Sequence, residues 1–180
     1  MSQPVADSEE ILALVNDADE IIGEIRRGDI NTLVPFGGRN VRAADIFIMK
    51  SDGRVWVPVR GAHKSIAPGG LDFSVGGHVE SSETYEQTAI RELEEEAGLH
   101  VNPADLVLID SFQPTTEHCY FSRLYLLTSA SEPKLSGEHT SGNWMTIGEL
   151  QNALEQGTPA KASLLPKLKL LKKYLEDHRS

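Results

Sequence analysis

Apolar positions recur along this chain with two spacings, and each predicts a different element. Ile11 to Val15 and Glu20 to Ile25 are β-rich runs on either side of the turn-like Asn16-Asp17-Ala18-Asp19, which predicts an N-terminal hairpin over about residues 11–25. Val41 to Met49 and Arg54 to Val59 enclose Lys50-Ser51-Asp52-Gly53, where Asp-Gly marks a second hairpin. In that hairpin Trp56 reads as a core residue. A shorter apolar segment, Leu71 to Val75, runs into Gly76 and Gly77. Ala104 to Phe112 and His118 to Leu127 predict two more strands around the turn Gln113 to Glu117. Within the first of them, Leu106, Val107, Leu108 and Ile109 form an unbroken apolar run, the pattern of a strand buried on both faces.

The second spacing is helical. Tyr85, Ala89, Leu93 and Ala97 recur every fourth position, with Ser and Glu at the start and Gly98 as a left-handed stop. This predicts a helix from about Ser82 to Ala97. Thr146 and Glu149 have the spacing of a capping box and open a short helix that ends near Gly157. Leu165, Leu168, Leu171 and Leu175 predict an amphipathic C-terminal helix over about 164–177, with Lys167, Lys169, Lys172 and Lys173 facing solvent. Residues Met1 to Glu10 are polar and expected to fray, Arg26 to Asn40 reads as an irregular connection, and Ser129 to Gly142 reads as a loop. Strands and helices that alternate in this way give an α/β fold with a mixed sheet.

Composition narrows the picture only in part. The 180 residues fit one domain, spanning about 11–180, and 39% hydrophobic with 24% charged is ordinary for a soluble globular protein. Seventeen basic residues against 27 acidic give a net charge of −10, which opposes non-specific binding to nucleic acid or to an anionic membrane. Cys119 is the only cysteine, so no intrachain disulfide forms, and with no apolar segment near 18 residues the expected location is cytoplasmic. A monomer and a homodimer are both compatible with these numbers.

The chemistry is concentrated between Gly77 and Leu99, GHVESSETYEQTAIRELEEEAGL. On a helix, at about 100° per residue, Glu92, Glu95 and Glu96 fan over roughly 100° of surface. Three carboxylates on one patch repel, and hard oxygen ligands gathered this way suit Mg²⁺ or Mn²⁺. A charge run on a helix is ordinarily a solvated face, and Glu86 and Glu94 keep that reading. The distant glycines and Glu83 fall into the same frame, G-x5-E-x7-R-E-U-x-E-E-x-G-U, without a departure. At residue frequencies of about 7%, seven fixed positions coincide by accident on the order of once in 10^8 starts.

This frame resembles the box of the nudix hydrolases, which cleave nucleoside diphosphates linked to another group. The resemblance implies an α/β/α sandwich and a divalent cation, Mg²⁺ or Mn²⁺, held by Glu92, Glu95, Glu96 and the carbonyl of Gly76. It implies a water nucleophile activated by that metal. Gly77, Glu83, Arg91 and Gly98 become structural support, with Glu83 and Arg91 as an ion pair. Glu138 falls where the family often carries an acidic residue beyond the box, so Glu92 and Glu138 are both candidates for the base. The N-terminal hairpin is similar to that of a subgroup including isopentenyl diphosphate isomerase, and by that likeness Arg60 and Lys64 lie near the diphosphate.

Two other functions share the scaffold. Ser74-Val75-Gly76-Gly77-His78 resembles the isomerase's Ser, Val, Cys, Gly and His, but glycine stands here where the isomerase needs its cysteine. No histidine precedes Ala62, although the isomerase draws two metal ligands from that region. A non-catalytic nucleotide sensor would have no need of three adjoining carboxylates. His78 reads as a loop residue, with a surface position favoured over contact with metal or phosphate. Hydrolysis of a diphosphate bond in a small nucleotide-like molecule is therefore the expectation. Nucleoside di- or triphosphates, nucleotide sugars, ADP-ribose and dinucleotides stay open, with Arg26 to Asn40 and Gln113 to Glu117 as the loops expected to choose among them.

Overall fold

The computed structural model describes residues 7–178. Residues 1–6, most of the segment expected to fray, and residues 179 and 180 lie outside the described part, while Asp7–Glu9 forms a 3₁₀ turn. The chain then runs β1 (Ile11–Val15), β2 (Ile21–Arg26), a 3₁₀ turn at Arg27–Thr32, β3 (Val41–Met49), β4 (Arg54–Arg60), β5 (Val75–His78), α1 (Tyr85–Ala97), β6 (Leu106–Phe112), β7 (Tyr120–Thr128), β8 (His139–Thr146), α2 (Ile147–Glu155) and α3 (Leu164–Asp177). β1 and β2 form a separate antiparallel pair, and the large sheet has the order β6-β7-β3-β4-β8.

β3 is the centre of the sheet. One edge pairs in parallel with β7 along its whole length, from Val41 opposite Tyr120 to Met49 opposite Thr128. Its other edge is shared. β4 takes only the end at Met49, opposite Val55, whereas β5 takes Ala43 to Ile46 with Gly77 lying opposite Ala44. The two strands therefore fork away from one another along β3, and the fork opens the sheet where the glycines lie.

Alternation along β3 explains the layers. Ala44, Ile46 and Ile48 point to one face, where Tyr85, Ala89, Leu93 and Ala97 of α1 cover them together with Phe121, Tyr125 and Leu127. Phe47 points to the other, packed with Leu124 and Leu126 under Leu150 of α2 and Leu164, Leu168 and Leu171 of α3. Helices on both faces of a mixed sheet make the α/β/α sandwich. Each fully buried leucine of these helices contributes roughly 1.5–3 kcal/mol of burial. Among the described residues, no helix is long and apolar enough to cross a membrane.

Three local expectations change and a fourth is qualified. β6 is not buried on both faces: it is an edge strand, with Val107 39% and Leu108 47% exposed, and an apolar run does not reveal whether a second neighbour will arrive. β8 starts at His139, inside the stretch read as a loop, because His139 to Thr146 pairs with β4 even though its sequence is too polar to alternate. Trp56 packs against the core beneath α1, as expected, but is only half-buried there, edge-on to Trp144 with ring centroids 5.4 Å apart. Lys167 does not face solvent. It is 4% exposed and reaches from α3 to Asp45 on β3.

Candidate active site

The helix that carries the carboxylates is fixed at both ends. Thr84 caps α1 by accepting the N–H of Gln87 at 3.2 Å, while the Gln87 side chain accepts the N–H of Thr84 at 2.8 Å. At the other end Gly98 adopts φ 64°, a conformation that favours glycine, and its N–H returns to the Glu94 carbonyl at 3.0 Å. With the apolar face buried, Glu92, Glu95 and Glu96 have one side left to occupy.

Arg91 ties this side to the loop before it. Its Nε lies 2.8 Å from Glu83 Oε1 and its Nη2 donates to Glu83 Oε2 at 3.1 Å and to the His78 carbonyl at 3.2 Å. Nη1 holds Glu92 Oε1 at 2.8 Å and Glu95 Oε2 at 3.1 Å. Thr88 Oγ1 adds a bond to Glu83 at 2.7 Å. Burial alone would raise the Glu83 carboxyl, but Arg91 and Thr88 outweigh it and hold it below its usual value.

Glu92 and Glu96 are in the opposite condition. Burial pushes Glu92 up to about 7 although Arg91 pulls the other way. Burial, and then the negative charge of Glu92, hold Glu96 well above the usual carboxylate range, against the Gly76 N–H that donates to Glu96 Oε2 at 3.1 Å. A Cβ on Gly77 would stand 1.8 Å from Glu92 Oε1, so only glycine lets the strand approach that carboxylate. Two desolvated acids driven toward protonation are what a hard divalent cation relieves. The donor set fits Mg²⁺ or Mn²⁺ bound through one or two carboxylates with waters and substrate oxygens completing the shell. Among the described residues no group of three or more Asp, Glu, His or Cys side chains is gathered so that it could hold a metal ion, and Glu95 is 59% exposed and turned to Arg91.

A cavity of about 240 Å³ adjoins this pair at the fork between β4 and β5, reached by Gly76, Gly77 and Glu96. Arg60 and Lys64 line it, but neither extends alone. Arg60 is buried against Asp72, with its Nε donating to the Ile66 carbonyl at 2.7 Å, and Lys64 Nζ lies 2.8 Å from Glu138 Oε2. Glu138 is thereby brought to the same cavity as Glu96. Glu83, Arg91, Glu92 and Glu95 stand outside its lining. His78 is not a surface loop residue. It belongs to β5 and lines the cavity, and burial, with Arg27 and Lys161 nearby, brings it down to about 3 and keeps it neutral.

Several lining residues escape sequence reasoning. Lys161, Asp45 and Tyr120 come from three distant elements, and a lone lysine after Pro-Ala carries no signal. Asp72 had one: a carboxylate inside the apolar run Leu71 to Val75 has to find buried partners. Arg27 comes from the stretch Arg26 to Asn40, whereas Gln113 to Glu117 contributes nothing to the lining.

Comparison with known proteins follows the same outline. The NUDIX domain family model matches residues 39–168. An uncharacterized Nudix hydrolase of Nostoc sp. is 37% identical over 158 residues, covering 87% of this chain and 92% of its own. A Nudix hydrolase of Deinococcus radiodurans is 36% identical over 159 residues, covering 87% and 91%. The crystal structure of the Deinococcus radiodurans protein DR0079 superposes with a TM-score of 0.78 at 34% identity, over 89% of this chain and 98% of that one.

Proposed function

Because this chain belongs to the Nudix hydrolase family, we propose that it hydrolyses the diphosphate bond of a nucleoside di- or triphosphate or nucleoside diphosphate-linked molecule with Mg²⁺ or Mn²⁺ bound. The observation that carries this reading is the pair Glu92 and Glu96, desolvated and raised against the glycines of β5. Glu92, Glu95, Glu96 and the Gly76 carbonyl would hold the cation. When bound, the cation supplies positive charge against the diphosphate and makes water more acidic.

The remaining work belongs to the chain. Arg60 and Lys64 orient the phosphates at the cavity, and Gly77 and the Glu83–Arg91 pair keep α1 against β5. In the reaction a water oxygen bonds to phosphorus, the bridging P–O bond breaks, and the leaving phosphate takes the bond's electrons. The water's proton passes to a carboxylate. Glu92 and Glu138 are the two candidates, and we assign it to Glu138 because that residue shares the cavity with Glu96. The hairpin β1–β2 keeps the likeness to the isomerase-like subgroup, but Gly76 offers an N–H and no thiol, which supports hydrolysis over isomerisation. The lone Cys119 supports a reducing, cytoplasmic setting.

Glu96→Gln and Glu95→Gln test this reading. With the fold retained by circular dichroism, each should lower metal-dependent cleavage by about a hundred-fold or more. Full activity in both variants contradicts it.

A further inference from the structure

The cavity contains a cation that the hydrolytic reading leaves without a task. Lys161 lies on the segment before α3, and backbone bonds fix that segment: the Leu71 N–H donates to the Pro159 carbonyl at 2.8 Å and the Lys161 N–H to the Leu71 carbonyl at 3.0 Å. A Cβ on Gly70 would come within 3.0 Å of the Pro159 and Ala160 backbone, so glycine sets how closely the segment packs. Thus anchored, Lys161 opens onto the cavity with its side chain 24% exposed.

The charges around Lys161 do not balance. Its Nζ lies 3.0 Å from Asp72 Oδ1. Asp72 is already served by Arg60 on Oδ2 and by the Phe73 N–H, 2.8 Å from Oδ1. One carboxylate therefore faces two full cations. The neighbouring buried acid, Asp45, also favours the charged form of Lys161, but it is shared with Lys167 2.5 Å away, so Arg60, Lys161 and Lys167 are three cations against the two acids Asp72 and Asp45. Glu138 is engaged with Lys64. What completes the set is an anion from outside. The cavity, about 240 Å³, has room for a phosphoryl group beside Lys161.

We propose that Lys161, with Arg60 beside it, seats a terminal phosphoryl group, so that substrates whose diphosphate ends in a free phosphate are preferred over those capped at both ends. The preference rests on the hydrolytic reading, while the seat itself does not. Lys161 also acts on Glu96 electrostatically, which places the seat beside the carboxylates.

Two measurements test it. The first is calorimetric titration with inorganic phosphate in the presence of chelator, using the full chain. Lys161→Met should weaken phosphate binding about ten-fold or more. Lys161→Arg should restore it, and Lys169→Met, an exposed lysine paired with Glu155, should leave it unchanged. No saturable binding by the wild type, equal binding by Lys161→Met, or a loss that Lys161→Arg does not restore overturns the seat.

The second measurement is kcat/KM for a nucleoside triphosphate against a dinucleoside polyphosphate. In Lys161→Met the ratio should fall about ten-fold through KM with kcat held. An unchanged ratio overturns the preference. Phosphate binding that depends on Lys161, with no diphosphate cleaved by the wild type, keeps the seat and overturns the hydrolytic reading instead. Cleavage with phosphate binding indifferent to Lys161 does the reverse.

Discussion

Lys167 of α3 reaches Asp45 of β3, Nζ to Oδ2 at 2.5 Å, where the two side chains are 4% and 11% exposed. Ser122 Oγ on β7 takes a second bond from the same amine at 2.7 Å, and the Phe112 ring lies under it at 4.5 Å. One lysine thus joins the C-terminal helix to two strands at the edge of the cavity. Removing it leaves Asp45 desolvated without a partner. Lys167→Ala should cost roughly 3–5 kcal/mol in urea unfolding. Replacing the pair together, as Lys167→Met with Asp45→Leu, should cost much less. Equal losses in the two variants would show that packing, and not the ion pair, is what matters.

Gly77 is the closest approach of strand to carboxylate. Gly77→Ala adds a methyl where Glu92 Oε1 stands, so Glu92 has to move. A displacement of about 1 Å in a catalytic group costs on the order of a hundred-fold in rate. We expect kcat to fall by about that much while the thermal midpoint changes little. Activity within a few-fold of wild type would mean that Glu92 has no fixed position to lose.

Acid sensitivity should centre on Asp72. Burial would raise its carboxyl, but His139, Lys161 and Arg60 together hold it well below the ordinary value of 3.8. A carboxyl lowered by folding stabilises the native state fully above its unfolded value, and that stability is lost as pH falls through the folded value. The wild type should therefore lose stability as pH drops below 3.8, and Asp72→Asn should start less stable and show a shallower decline. Parallel slopes in denaturant titrations across that range would contradict it.

The sequence carries what is local. The hairpin around Asp52-Gly53, the Thr146–Glu149 box, the α1 face through Leu93 and the stop at Gly98 all depend on residues a few positions apart, and each lies where its pattern puts it. The frame from Gly77 to Leu99 is local in the same sense, since the paired Glu83 and Arg91 are only eight positions apart. What pattern does not carry is the partner across the fold. Lys167 sits at a polar position of an amphipathic helix, and only the parallel pairing of β3 with β7 puts Asp45 and Ser122 beneath it. Lys161 and Asp72 meet because the segment before α3 pairs with Leu71. Leu108 stays exposed because β6 has one neighbour. Those contacts follow from sheet order, which no window of sequence contains.

The most direct test of the account is release of phosphate or nucleotide from a panel of diphosphate compounds, isopentenyl diphosphate included, assayed with Mg²⁺, with Mn²⁺ and with chelator. We expect cleavage of one nucleotide class that chelator abolishes and that Glu96→Gln does not recover. No cleavage of any member, alongside tight nucleotide binding or isomerised isopentenyl diphosphate, would contradict it.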